Sequence, residues 1–296
     1  MRQTSKLKYL KDPRLEFAYG GLNESTDWDE ALADVDTVYH VAGATFARRA
    51  QDYFTTNHQG TEAILAEAVK RRDQIKRFVY ISSLAAAGPG KNGNAIDEDC
   101  SPAPITPYGR SKLAAEEAVR AVSDIVPVTI VRPPAIYGPR DYAIFEFFKT
   151  IKSGIFPTIG RYDKRVSLVH VRDLVDGIIL AGESEASIGR TYFISSEDDY
   201  SMGAVADLIA ALMHKRARTI AIPRAVAYGV ALAAEAAAAI TGKPPILNRD
   251  KVIDFSQSCW SCSIERAKRD LGYSPRIDLE QGLRETIDWY KREGWL

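Results

Sequence analysis

Short apolar runs alternate with longer stretches of helical periodicity along most of the chain. Residues 36–41 (Asp-Thr-Val-Tyr-His-Val), 77–83 (Arg-Phe-Val-Tyr-Ile-Ser-Ser) and 128–132 (Val-Thr-Ile-Val-Arg) are rich in β-branched and aromatic residues and predict strands. Residues 15–19 alternate apolar and polar positions and predict one more, shorter strand. Helices are expected around 28–33, over roughly 53–72, where Ile64, Leu65, Ala68 and Val69 recur at helical spacing, and over 108–122. Strands alternating with helices argue for βαβ units, an α/β fold with a doubly wound parallel sheet. Right-handed crossovers then line the strand C-termini along one crevice. Beyond Ile136-Tyr137-Gly138-Pro139 the rhythm loosens. A helix is expected over 145–153, a loop bordering a pocket over 154–163, a strand over 166–171, a helix over 172–181 and a strand over 191–194. Helices, a turn at Pro244-Pro245 and a terminal helix over 279–289 complete the chain.

The chemistry suggested by this frame sits at Tyr108-Gly109-Arg110-Ser111-Lys112. Residues four apart on a helix share a face, so a phenol and an ammonium stand side by side. A neighbouring positive charge favours phenolate, so Lys112 is expected to lower the pKa of Tyr108 from its usual value near 10. A tyrosine tuned this way exchanges a proton with an alcohol near neutral pH. Ser83, at the end of a buried strand, is expected to hold the same oxygen from the opposite side. On a helix taken alone, Tyr and Lys four apart are more often an aromatic ring covered by a lysine stem. Context gives the pair its weight: a strand ending in small hydroxyls, a loop rich in Gly, Pro and Asn, then the helix.

That order resembles the extended short-chain dehydrogenase/reductases, in their NAD-dependent epimerase/dehydratase branch, from about residue 15 to the last residue. His40-Val41-Ala42-Gly43 is similar to the family's small-residue turn beside the cofactor. Asn57, in Asn57-His58-Gln59-Gly60-Thr61, matches its helix asparagine. Arg132-Pro133-Pro134-Ala135-Ile136-Tyr137-Gly138-Pro139 resembles its segment under the nicotinamide, and Leu168 to Leu174 its returning strand and helix. The C-terminal Ser274-Pro275 and Leu279 to Tyr290 resemble its usual ending.

The resemblance implies a Rossmann-like domain over 1–150, to which 166–196 return, and a mainly substrate-binding region over 151–296. It implies NAD or NADP as cofactor, bound by Leu22, Ala42, Gly43, Ile81, Ser82, Tyr108, Lys112 and Pro133. Ser83, Tyr108, Lys112 and Asn57 become the catalytic set, and Ser83, Ala135 and Arg165 the substrate contacts. A sugar nucleotide and a hydrophobic alcohol such as a steroid or flavonol stand close to even as substrates. Ala135 stands where sugar-nucleotide enzymes carry Asn, whereas Arg165 matches an arginine they use. A homodimer through helices 53–72 and 108–122 is also implied.

One part of the family pattern is missing: the sequence contains no G-x-x-G-x-x-G, the turn whose bare backbone admits a pyrophosphate. Arg2-Gln3-Thr4-Ser5 looks like the sequel to a second strand, so one strand, the Gly-rich turn, a helix and most of a second strand are expected to be absent, by N-terminal truncation rather than by true lack of this half-site. Gly21 departs from the family's frequent Asp near the adenine. Arg2 could receive a 2′-phosphate, or be a solvated terminal arginine. The alternative reading is a non-catalytic binding or scaffold protein that has lost cofactor binding.

Bulk properties change this picture little. The 296 residues carry 39 basic and 39 acidic side chains, with no basic stripe for nucleic acid. The longest apolar stretch, residues 225–240, is Ala-rich and interrupted by Glu235, too short and weak for a membrane span but compatible with a docked amphipathic helix. Three cysteines and an N-terminus without an apolar core point to the cytoplasm. Cys259-Trp260-Ser261-Cys262 has C-x-x-C spacing but no second ligand pair nearby, so no metal site is expected there and strand packing is the simpler reading. For His58 and His170 the same preference for a structural role holds, because Tyr108 and Lys112 already supply proton transfer.

Overall fold

The computed structural model describes residues 7–22, 26–160, 164–241 and 247–296. Arg2, the Pro244-Pro245 turn and the last part of the expected 154–163 loop lie outside the described residues.

The main sheet runs Thr37–His40, Arg77–Ile81, Val128–Arg132, Thr191–Phe193, every pairing parallel. Alternation along the strands fills two faces. Phe78, Tyr80, Val128 and Ile130 pack with Ile64, Leu65, Ala115 and Val119 of the helices Gly60–Lys70 and Pro107–Ala121. Val79, Ile81 and Val131 turn to the other face, against Leu174, Ala181, Ala267 and Leu271. The helix Glu265–Leu271, far along the chain, thus covers the same sheet as Val171–Glu183. The outer edge of Thr37–His40 has no strand partner among the described residues.

A second sheet places Arg165–His170 between Cys259–Trp260 and Ala135–Tyr137, with Asp199–Ser201 antiparallel to it. Its core is aromatic: Tyr137, Phe148, Phe156, Trp289 and Tyr290 pack with Leu283 and Ile287 of the terminal helix Leu279–Arg292.

Two expectations are corrected. Residues 15–19 form no strand; Leu15, Phe17 and Tyr19 are exposed and no strand among the described residues pairs with them, so alternation had no ladder to act through. Within 154–163, Ile155–Ile159 is a strand, paired in parallel with Arg218–Ile222. Pairing across more than sixty residues of sequence is invisible to local pattern.

Candidate active site

The parallel strands end together, which brings Val41 to Gly43, Ser82-Ser83 and Pro133 to one edge of the sheet. Ser83 is extended and caps the short helix Leu84–Ala87, its Oγ accepting from the Ala85 amide at 3.1 Å. Thr106 caps the Tyr108 helix, with Pro107 at its first turn. Gly109 is required here by close approach: a Cβ at that position would lie 2.2 Å from the Ala85 carbonyl oxygen. The two helices that carry Ser83 and Tyr108 therefore touch backbone to backbone.

Tyr108 is half-buried beside the Ser83 hydroxyl, and its ring meets Tyr53 edge-on at 5.8 Å. Burial raises its pKa; the neighbouring Ser83 hydroxyl opposes this, and the charges of Tyr53 and Asp254 add to it. Lys112 does not depress it in this arrangement, contrary to the expectation from spacing. The Lys112 ammonium instead donates to the Ile81 carbonyl at 2.6 Å and lies 4.4 Å above the Tyr80 ring. Its own pKa is pushed down to about 7 by burial, with Glu116 opposing. Spacing set the shared helix face; the partner of the ammonium was decided by the strand beneath it.

Asn57 sits on a six-residue π turn, Phe54–Gln59, inside an otherwise α-helical run from Ala50 to Lys70. Fully buried, it accepts from the Ala44 amide at 2.6 Å and donates to the Ala44 carbonyl and to Ser111 Oγ, both at 3.0 Å. It fixes the turn that follows Thr37–His40 onto the Tyr108 helix. At Gly43 a Cβ would stand 3.0 Å from Asn57 Oδ1 and 3.8 Å from Lys112 Nζ. Bare, exposed backbone beside a buried ammonium fits the nicotinamide–ribose end of a dinucleotide. The pyrophosphate-binding turn has no counterpart among the described residues.

The remaining sequence-predicted residues divide. Ile81 and Pro133 present backbone at the strand ends, their carbonyls taken by Lys112 and by the Leu84 amide. The Ser82 hydroxyl is committed to Glu116 at 2.5 Å, and Leu22 packs against Gly60, where a Cβ would come within 2.8 Å of it. Ala42 and Ala135 are exposed. Arg165 is bound to Asp199, its Nε donating at 2.7 Å, and it lines a small cavity of about 130 Å³ with Lys164, Asp254 and Trp260.

Next to Tyr53 and Pro107 opens a larger cavity of about 770 Å³. Phe46, Tyr228 and Ile253 give it apolar walls, and two of its arginines are paired: Arg49 with Asp52 and Arg249 with Glu235, both at 2.8 Å. Sequence reasoning missed the pair Asp250 and Asp254, four apart on the helix Arg249–Phe255. Asp250 lines the large cavity and Asp254 the small one, and Asp254 Oδ1 is buried without a hydrogen-bond partner among the described residues. Burial, reinforced by Asp250, lifts the Asp254 pKa to about 7. Their spacing was readable from the sequence; their arrival beside Tyr108 was not.

Cys259 and Cys262 are buried, Cys259 Sγ donating to the Asn94 carbonyl at 3.3 Å, and no metal-holding group of side chains occurs among the described residues. His170 is likewise buried, its Nδ1 accepting from the Arg172 amide at 3.3 Å.

The profile of the NAD dependent epimerase/dehydratase family matches residues 1–195, and the chain belongs to that family. The ceramide reductase of Caulobacter vibrioides (strain NA1000 / CB15N) is 28% identical over 295 residues, covering 97% of this chain and 84% of that protein. The UDP-glucose 4-epimerase of Vibrio cholerae is 25% identical over 287 residues, covering 93% and 83%. The dTDP-glucose 4,6-dehydratase of Bacillus anthracis str. Ames, solved in complex with NAD, superimposes with a TM-score of 0.75 at 20% identity, over 98% of this chain and 84% of that one. The protein is an NAD-dependent enzyme of epimerase/dehydratase type with a Rossmann-like α/β fold, and the scaffold alternative gives way.

Proposed function

We propose that the chain acts on a secondary alcohol, with Tyr108 as the proton-exchanging residue. The observation that carries this reading is the contact of Tyr108 with Ser83 on one side and Tyr53, at the rim of the 770 Å³ cavity, on the other. Ser83 orients the substrate oxygen, and Tyr108 gives or takes the hydroxyl proton. Lys112, held by Ile81 and Tyr80, faces the ribose side, and Asn57 keeps the Ala44 backbone and the Tyr108 helix in fixed relation. The nicotinamide ring, when bound, supplies the hydride chemistry.

An apolar alcohol is favoured over a sugar nucleotide. Arg165, the arginine expected to meet a nucleotide, is tied to Asp199, and two of the arginines on the large cavity are neutralised by their own carboxylates. Similarity to a ceramide reductase supports the apolar reading. The sugar-nucleotide reading is supported by similarity to UDP-glucose 4-epimerase. A cytoplasmic location and a homodimer through the outer faces of Gly60–Lys70 and Pro107–Ala121 complete the proposal.

The test is Tyr108→Phe. Turnover of an apolar secondary alcohol should fall about 10²- to 10⁴-fold, the usual contribution of a positioned proton donor, while NADH or NADPH titration is unchanged. Retained turnover in Tyr108→Phe would remove the assignment.

A further inference from the structure

The helix Arg224–Thr241 buries only a narrow stripe. Ala227 and Ala231 face inward, against Ile159 and Val252. Helical spacing sets Val226, Gly229, Val230 and Ala233 on the opposite side, all exposed, with Ala225, Leu232 and Ala236 beside them. Val226 and Val230 are each 54% exposed and Leu232 45%. An outer face with no polar residue is expected of a helix that something covers, since a solvated helix carries polar groups there. The preceding strand, Arg218–Ile222, adds a further exposed apolar side chain, Ile220, 46% exposed.

The segment leading into this helix is basic. Lys215, Arg216, Arg218 and Arg224 are all exposed, and none pairs with a carboxylate among the described residues. The sequence has no Asp or Glu between Asp207 and Glu235, in a chain whose charges otherwise balance. This combination decides between candidate covers. A second copy seated face to face would bring four uncompensated cations against four others, which like-charge repulsion opposes. An anionic bilayer offers negative headgroups to the cations and an acyl boundary to the valines and Leu232. No helix among the described residues is long and apolar enough to cross a membrane, so the element would lie on the surface.

We propose that the face built by Arg224–Thr241 and Arg218–Ile222 docks on anionic lipid bilayers. The inference stands on exposure and charge and does not require the alcohol reading; Tyr228, Glu235 and Ala238 of the docking helix also line the 770 Å³ cavity.

The full chain is sedimented with vesicles of phosphatidylcholine containing phosphatidylglycerol, and with phosphatidylcholine alone, at low and high salt. Binding should require phosphatidylglycerol and weaken with salt. Each basic residue near an anionic surface contributes roughly a fivefold gain in partition, so reversing three of them (Lys215→Glu, Arg216→Glu, Arg218→Glu) should lower it by well over tenfold. The double variant Val226→Ser, Val230→Ser should also reduce binding while leaving circular dichroism and NADH titration unchanged. Three results would overturn the proposal: no binding of the wild-type chain to anionic vesicles, binding indifferent to both sets of variants, or light scattering in which these variants dissolve an oligomer and so identify a second copy as the cover.

Discussion

Glu116 and Arg132 meet as a buried bidentate pair, Arg132 Nε 2.8 Å from Oε1 and Nη2 2.6 Å from Oε2. The same carboxylate accepts from Ser82 and, at 2.8 Å, from Arg120. Two strand ends and the Tyr108 helix are thereby locked together immediately below the candidate site. Burial would push the Glu116 pKa up, but the hydrogen bonds and charge of Arg132 hold it below the usual value.

Removing Arg132 leaves the buried Glu116 carboxylate with only the half-exposed Arg120 and Ser82 as partners, at a cost of up to about 3 to 5 kcal/mol. Arg132→Met should lose that much in urea unfolding, and Arg132→Met with Glu116→Leu should recover most of it. The sign with pH follows from the lowered pKa. The contribution of Glu116 is present above its unfolded value of 4.5 and fades as pH falls through the lower folded value, so Arg132→Met should flatten the acid limb of the stability curve.

Lys112 carries the opposite linkage. With its folded pKa lowered to about 7, from 10.5 unfolded, the native state binds fewer protons between those values, and stability contributed at this site rises with pH across them. Lys112→Met removes the linkage. Relative to wild type, the variant's stability should decline by roughly 2 to 3 kcal/mol between pH 7 and 9, because two pH units at about 1.4 kcal/mol each separate the curves. Thermal unfolding at the two pH values measures it, and parallel curves would place the Lys112 pKa elsewhere.

Asp254, whose Oδ1 is buried without a hydrogen-bond partner among the described residues and whose pKa is raised to about 7, destabilises the fold when ionised, so its linkage lowers stability as pH climbs from 3.8 to about 7. Asp254→Asn should therefore be more stable than wild type at pH 8 and closer to it at pH 5, in paired melts. If the carboxyl also meets substrate, the variant's kcat/KM loses an inflection near pH 7 that wild type shows. A variant equal to wild type in both melts would mean that Asp254 is already neutral or partnered in solution.

Local pattern determined a good deal of this protein. The strand Val128–Arg132, buried throughout, and the helix with Tyr108 and Lys112 on one face were legible because an apolar β-branched run and a period of 3.6 are set by neighbouring residues. Ser83 as the end of a buried strand, and Asn57 on the preceding helix, were legible for the same reason. What touches what was decided by the tertiary structure. Residues 15–19 had strand alternation and no partner, whereas Ile155–Ile159 read as loop and found one at Arg218–Ile222. Spacing set Lys112 beside Tyr108; the Ile81 carbonyl and the Tyr80 ring then claimed the ammonium, and burial alone turned its pKa downward. The spacing of Asp250 and Asp254 could be read, but not the environment of Asp254, because a carboxyl acquires an unusual environment only when distant segments bury it. Helix faces and strand pleats are written within a few residues, but electrostatics at a site sums over every segment that folding brings there, and that sum has no local record.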